Sequence, residues 1–278
     1  MKLTKQYNNW RFMVTSACNA NCVFCHKDGT HAKSGFLDIN LFESLVRKYE
    51  KSITKVRFSG GEPLLHPDIF EMIHRTVRLT NNVGIATNGT QIQKHYESII
   101  KSGLPRMNIS LHTISPITYS RITKLSVQQH KDILAIIPLI KKHLRLRINA
   151  VIMKGVNTNK KELMDLLGYA VDNQINLEFI ELDLGAIHDI DYKKYHYPPQ
   201  QLVNNIQDIY KTKFVFDEAE GRWEATINKS QIGVHLGLCT NKLCHTCIET
   251  RPILVYPNGT LNRCRLNNPV IKSIDVGL

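Results

Sequence analysis

Residues 10–25, WRFMVTSACNANCVFC, place a β-rich run directly ahead of a cysteine loop. Arg11–Thr15 has strand character, and Cys18, Cys22 and Cys25 then fall in the loop Ser16–Thr30. Working outward, further strand-like runs lie at Lys55–Ser59, Val83–Thr87, Met107–His112, Arg145–Ile152 and Asn176–Leu182. Apolar residues recur at helical spacing between them, in Leu41–Tyr49, Ile69–Leu79, Gln93–Lys101, His130–His143 and Lys160–Val171. Asp38, Asp68 and Asn159 occupy N-cap positions, and Pro138 is expected to kink or shorten its helix. Strand-then-helix units imply parallel neighbours, because a parallel pair needs a crossover. Six units are too few for a closed eight-stranded barrel. The expected class is therefore α/β, a partial (β/α)6 barrel. Sites in such folds gather at the C-terminal strand ends, which is where the cysteine loop begins.

The pattern changes after Leu184. A Tyr- and Pro-containing stretch, Asp191–Pro199, leads into an expected helix at Gln200–Lys211. Phe214–Phe216 and Arg222–Ile227 alternate like a hairpin around Glu220-Gly221, and Ile253–Tyr256 precedes a turn at Pro257-Asn258-Gly259. Residues 1–184 thus read as the barrel core and 185–278 as a small metal-supported C-terminal extension carrying Cys239, Cys244, Cys247 and Cys264.

Seven cysteines in a chain whose N-terminus lacks an apolar signal segment argue for metal binding over disulfides, and for a cytoplasmic protein. The longest strongly apolar run, Asp132–Ile140, is about half of a membrane span. Lys and Arg number 36 against 24 Asp and Glu, a net charge of +12. These cations are scattered rather than massed in one arm, which points to a pocket for an anionic small molecule and away from nucleic acid or membrane. Three thiolates on one loop leave an iron of a 4Fe–4S cluster open to a ligand. A zinc knuckle completed by His26 or His31 fits the spacing equally well, and a zinc ribbon fits the C-terminal cysteines.

Context favours iron. CNANCVFC resembles the signature of the radical S-adenosylmethionine (SAM) superfamily, with Phe24 at its aromatic position, and Gly60-Gly61-Glu62-Pro63 resembles that superfamily's GGEP motif. The segments TKVRFSGGEPLLHPDI, IATNGT, NISLHTISPITYSRIT, RINAVIMKGVN, LEFIEL, LCHTC and YPNGTLNRC resemble, in order, those of the molybdenum-cofactor GTP 3′,8-cyclase family. The resemblance implies a radical SAM enzyme. Cys18, Cys22 and Cys25 would hold a 4Fe–4S cluster that binds SAM, whose reductive cleavage gives a 5′-deoxyadenosyl radical that abstracts substrate hydrogen. Backbone groups around Gly60, Gly61 and Glu62 would meet the methionine amino group, and Ser110 the ribose or carboxylate. Phe24, Thr87, Asn88 and Asn149 complete the cofactor side. Arg11, Lys55, Arg57, Arg147 and Arg251 would hold the substrate. Cys244, Cys247 and Cys264 match ligands of a second 4Fe–4S cluster, which Cys239 would close if it ligates. A reductase, flavodoxin or ferredoxin would supply the electron.

Departures from the family pattern lie on the substrate side. Glu178 stands where a basic residue is expected, and Asp183 where a methionine is. Sixteen residues separate Cys247 from Cys264, a wider spacing than the family's, and Arg251 alone remains of a pair of arginines. The sequence also ends at Asp275-Val276-Gly277-Leu278 without the family's Gly-Gly tail. These features lead us to expect a paralogue acting on another anionic metabolite, nucleotide or sugar-like. The alternatives are the GTP cyclase itself, a peptide-modifying radical enzyme, and a non-enzymatic zinc or nucleic-acid-binding protein.

Overall fold

The computed structural model describes residues 8–25, 35–183, 191–218, 220–237 and 252–262. Its elements run β1 Asn9–Thr15, α1 Ile39–Tyr49, β2 Lys55–Gly60, a 3-10 turn Pro63–Leu65, α2 Ile69–Val77, β3 Val83–Thr87 and α3 Tyr96–Lys101. There follow β4 Arg106–Ser110, α4 Pro116–Thr123, α5 Val127–Ile140, β5 Arg145–Ile152, α6 Lys160–Asp172 and β6 Asn176–Glu181. The remainder comprises α7 Tyr192–Tyr195, α8 Pro199–Tyr210, β7 Val215–Asp217, β8 Arg222–Ile227, β9 Ser230–His235, β10 Ile253–Val255 and β11 Leu261–Asn262.

β1 to β6 pair in parallel and in chain order, the architecture expected of a partial barrel. The sheet is mixed and does not close. β10 adds to β1 in parallel with β11 antiparallel outside it, and β9 adds to β6 in parallel with β8 and β7 antiparallel beyond. Both edges of the sheet are therefore built by residues that follow 185. Missing from the sequence reading was β9, the strand that joins the β7–β8 hairpin to β6.

Alternation along the strands divides the sheet into two chemically different faces. Trp10, Phe12, Val56 and Phe58 are buried on the outer face against the helices, with Phe12 and Phe42 edge to face at 4.9 Å between centroids. The residues between them, Arg11, Lys55 and Arg57, are half-buried on the inner face, as are Arg106, Asn108, Arg147 and Asn149 further along. Parallel sheets covered by helices are usually apolar on both faces. This one is polar on its inner face.

Helix starts follow backbone geometry. Asp38 and Asn159 have extended backbone and accept from Leu41 N and Glu162 N. Asp68 was expected to cap α2 but makes no side-chain cap bond. Its φ of −98° and ψ of 14° depart from the extended conformation that aims a cap side chain, and its own N–H donates to His66 Nδ1 at 3.0 Å. α4 was not foreseen, and α5 begins at Val127, where Ser126 and Gln129 form a capping box. Pro138 lies near the C-terminal end of α5, which stops at Ile140 rather than at His143. Replacing Asp38 or Asn159 by Ala should each lower unfolding free energy by about 1 kcal/mol. Asp68→Ala should cost well under half of that in the same urea titration.

Candidate active site

The cysteine loop leaves β1 and is fastened on two sides. Asn21 N and Val23 N donate to Thr123 O and Ile122 O at the end of α4, at 3.0 and 2.8 Å. Gly61 N and Glu62 N donate to Thr15 O and Ala17 O, at 2.7 and 2.8 Å. This second seam explains the glycines. A Cβ on Gly61 would lie 2.1 Å from Ala17 O, and one on Gly60, whose φ is +136°, would lie 2.4 Å from Thr15 O. Any side chain here would push the cysteine loop off its seat. The N–H groups of Gly61 and Glu62 are committed to this seam, so an ammonium group at this turn would be met by carbonyl oxygens.

Glu62 is fully buried and works through its side chain. Its carboxylate accepts from Thr87 Oγ1 and Asn88 N, both at 2.7 Å, and from Leu64 N at 3.0 Å. It thereby ties the turn after β2 to the end of β3. Thr87 Oγ1 also accepts from Gly89 N at 3.0 Å. Asn88 donates to Asn19 Oδ1 at 2.7 Å and accepts from Thr90 N, while Asn19 donates to Thr90 Oγ1 at 2.7 Å. Asn88 Nδ2 and Ala20 N reach Cys18 Sγ at 3.9 and 3.4 Å. Asn19 and Thr90 were missed from sequence, although Asn19 lies inside the cysteine motif. Phe24 packs edge-on to His112 at 4.7 Å and lies against the cluster of Ile122, Met153 and Leu182, anchoring the loop's far end.

The donor set, three thiols on one loop, fits the three protein ligands of a 4Fe–4S cluster. Cys18 is exposed, and Cys22 and Cys25 are half-buried. Burial, with Cys25 and Cys18 adding like charge, pushes the Cys22 thiol up to about 12, and burial raises Cys18 as well. Thiolates here need an adjacent cation, which a metal centre provides. His26 and His31, which would complete a zinc knuckle, lie outside the described residues. A zinc knuckle closes its thiolates on one ion at about 2.3 Å, whereas each cysteine of a 4Fe–4S site takes its own iron.

Below the loop, the inner face is strongly basic. Arg11 and Arg57 are register partners on β1 and β2, and Arg106 and Arg147 face the same lumen from β4 and β5. Burial and the neighbouring Arg106, Arg11 and Arg147 bring Arg57 down to about 9. Lys55 is lowered by burial and by Arg57, and Arg106 by burial and by Arg145 and Arg147. Arg57 does not reach freely into the lumen, since Nη1 donates to Val56 O and Asn82 O at 2.7 and 2.9 Å. Sequence reasoning overlooked Arg106 and Arg222, whose alignment depends on strand register.

Register joins Ser110 to Asn149, Asn149 to Glu178, Glu178 to Gly233 and Gly233 to Glu224. Ser110 and Asn149, expected near the cofactor, therefore lie in one line with Glu178. Arg147 Nη1 donates to Glu178 Oε2 at 3.0 Å, and Arg222 stands 3.6 Å from the same oxygen. Arg222 also pairs with Glu224. Arg251, Cys239, Cys244, Cys247 and Cys264 lie outside the described residues.

The Radical SAM superfamily profile matches residues 12–167. The chain belongs to the radical SAM superfamily. A probable GTP 3′,8-cyclase of Methanothermobacter thermautotrophicus is 32% identical over 93% of this chain and 84% of its own length. The GTP 3′,8-cyclase of Clostridium acetobutylicum is 29% identical over 94% and 82%. This radical SAM protein is therefore an enzyme of the GTP-cyclase-like kind. Streptococcus suis SuiB, bound to its precursor peptide SuiA, superposes with a TM-score of 0.68 at 16% identity, over 95% of this chain. The chain spans 62% of SuiB. anSMEcpe with bound AdoMet superposes with a TM-score of 0.61 at 15% identity, over 94% of this chain and 74% of its own. At these identities the two structures establish a shared fold. The superfamily implies one 4Fe–4S cluster and SAM, in keeping with the three thiols of the cysteine loop. No helix among the described residues is long and apolar enough to cross a membrane.

Gly61→Ala should reduce the iron bound after anaerobic reconstitution by the equivalent of one cluster, with the far-ultraviolet spectrum unchanged. Burial lifts the Glu62 carboxyl from 4.5 to about 7. Because the folded state holds this proton more tightly than the unfolded chain, its contribution is complete below about pH 4.5 and lost as pH rises through about 7. Metal-free protein should therefore show a falling thermal midpoint across that window, and Glu62→Gln should flatten the fall.

Proposed function

We propose that this enzyme abstracts hydrogen from an anionic small molecule, nucleotide or sugar-like, and is a paralogue of the GTP cyclases rather than one of them. The observation that carries the reading is the inner face. Lys55, Arg57 and Arg106 stand there beside Arg11, their proton affinities lowered by burial and by neighbouring cations, and β1 to β4 carry no acidic residue. Buried like charges of this kind are stabilised by a bound anion.

A 4Fe–4S cluster with SAM supplies, when bound, reductive cleavage of the sulfonium and a 5′-deoxyadenosyl radical. Cys18, Cys22 and Cys25 hold that cluster, with Asn88 and the Ala20 N–H hydrogen-bonding the first sulfur. Carbonyls of the Gly60-Gly61 turn orient the ammonium group of SAM. Ser110 and Asn149 bound the cofactor on the far side, while Arg11, Lys55, Arg147 and Arg251 draw in the anion and Arg57, tied to Val56 O and Asn82 O, adds its charge without reaching freely into the lumen. Cys244, Cys247 and Cys264 carry a second 4Fe–4S cluster, with Cys239 as its candidate fourth ligand. The electron comes from a reductase, flavodoxin or ferredoxin, in the cytoplasm. Residues 1–184 form the radical core and 185–278 the extension that bears the second cluster.

The cyclase reading is the runner-up, and the relatives named above favour it. Glu178 weighs against it, because a buried carboxylate beside Arg147 takes up charge that a triphosphate would use.

Anaerobic reconstitution should give about eight irons per chain, as two four-iron clusters require. Dithionite with SAM should then yield 5′-deoxyadenosine, and Cys18→Ala, Cys22→Ala or Cys25→Ala should abolish it. Adding GTP should produce no cyclised purine. Its appearance at catalytic rates would make the chain a cyclase, whereas zinc in place of iron would sink the radical reading.

A further inference from the structure

The side chains beside Cys18 close a ring of hydrogen bonds. Asn88 Nδ2 donates to Asn19 Oδ1, Asn19 Nδ2 to Thr90 Oγ1, and Thr90 Oγ1 to Asn88 Oδ1, each at 2.7 Å. A further bond fixes which way the Asn88 amide faces. Thr90 N lies 3.0 Å from Asn88 Oδ1, and a backbone N–H can only donate, so the oxygen is on that side and the NH2 group on the other. One hydrogen of that NH2 group goes to Asn19. The other is directed at Cys18 Sγ, 3.9 Å from Nδ2, a long contact to a large and weak acceptor. Ala20 N reaches the same sulfur at 3.4 Å. The backbone of Asn88 is held as firmly, because its N–H donates to Glu62 Oε2 at 2.7 Å. Cys18 thus faces two N–H dipoles, one from its own loop and one from the end of β3.

We propose that Asn88 is a positioning residue whose NH2 group, held by Asn19 and Thr90, donates to the Cys18 sulfur and raises the reduction potential of the cluster at Cys18, Cys22 and Cys25. The inference rests on the proposed function only for that cluster, and is independent of the substrate. Its physical basis is charge. One electron leaves the reductase, flavodoxin or ferredoxin, which is oxidised, and the cluster site gains one negative charge; no bond or proton changes at Asn88. Part of that charge falls on the cysteine sulfurs, where N–H groups offset it, and hydrogen bonds to sulfur are among the levers that set such potentials. Because the ring fixes the NH2 group in advance, nothing has to reorganise when the electron arrives.

The test is the midpoint potential of the reconstituted full chain, read by electron paramagnetic resonance in an anaerobic dithionite titration with mediators. The signal followed is the one missing from Cys18→Ala, which separates it from any cluster of the extension. In Asn88→Leu, similar in size but without a donor, the cluster should be roughly three- to tenfold harder to reduce, part of what a hydrogen bond to a charged group contributes. Tenfold is a midpoint lower by about 59 mV for one electron. Asn88→Asp keeps an oxygen for Thr90 N, loses the donor and adds charge, so its midpoint should fall further. Thr90→Val breaks the ring but leaves Thr90 N to orient the amide, and its midpoint should stay near that of the wild type. Unchanged midpoints at full iron content in both Asn88 variants, or loss of the cluster from both, would make Asn88 a structural tie and overturn the inference. A wild-type chain that takes up no four-iron cluster at Cys18, Cys22 and Cys25 would end the radical reading itself, and iron analysis reports that separately from the midpoint.

Discussion

One close approach governs the site: the backbone of Gly60 and Gly61 lies against the backbone of Thr15 to Ala17. The cysteine loop has little core of its own and depends on what it is pressed against. Hydrogen bonds from Gly61 N and Glu62 N hold it on one side, and the end of α4 holds it on the other. Absence of a side chain at residue 61 is the geometric condition, because a methyl group would sit 2.1 Å from a carbonyl oxygen. Glu62 extends the same constraint to β3. Its carboxylate spans from the turn to Thr87 and Asn88, and through Asn88 to Asn19 and Cys18. Three separate strand ends thus become one rigid mouth, which is what positioning a reactive cofactor requires.

The inner face below that mouth departs from the usual economy of parallel sheets. Helices cover the outer side with aromatic and aliphatic packing, and the fold's stability resides there. Freed from that duty, the inner side carries arginines, and burial together with their mutual repulsion lowers Arg57 to about 9. Polar lining of this kind is unfavourable to folding and is retained where a ligand relieves it. Glu178 shows how finely the lining is partitioned. It pairs with Arg147 at one oxygen, while the other is buried against Gly233 without a hydrogen-bond partner.

Much of this was legible in the residues themselves. The alternation RFMVT, KVRFS and RLRINAVI marked strands, and apolar spacing marked the helices between them. Parallel pairing followed from the order of those units, since a crossover has a minimum length. The cysteine spacing and the GGEP turn located the site at the ends of β1 and β2. Asp68 looked like a cap as good as Asp38, but a cap depends on φ and ψ, which a residue's identity does not set. α4 is short and rich in Thr and Ser, so no apolar stripe announced it. β9 escaped because its role is a pairing with β6, more than fifty residues away in the chain.

By itself the sequence determined the order of the six parallel strands, the placing of three thiols on the loop after the first of them, and the family to which they point. These rest on local patterns and spacings along the chain. Only the tertiary structure decided that Glu62 acts as a clamp, that Arg106 and Arg222 join the basic lumen, and that Glu178 faces Asn149 across one step of register. Each of these depends on which residues of different strands lie level with one another. That level is set by the hydrogen-bond ladder of the whole sheet, from Thr15 against Gly60 to Glu178 against Gly233.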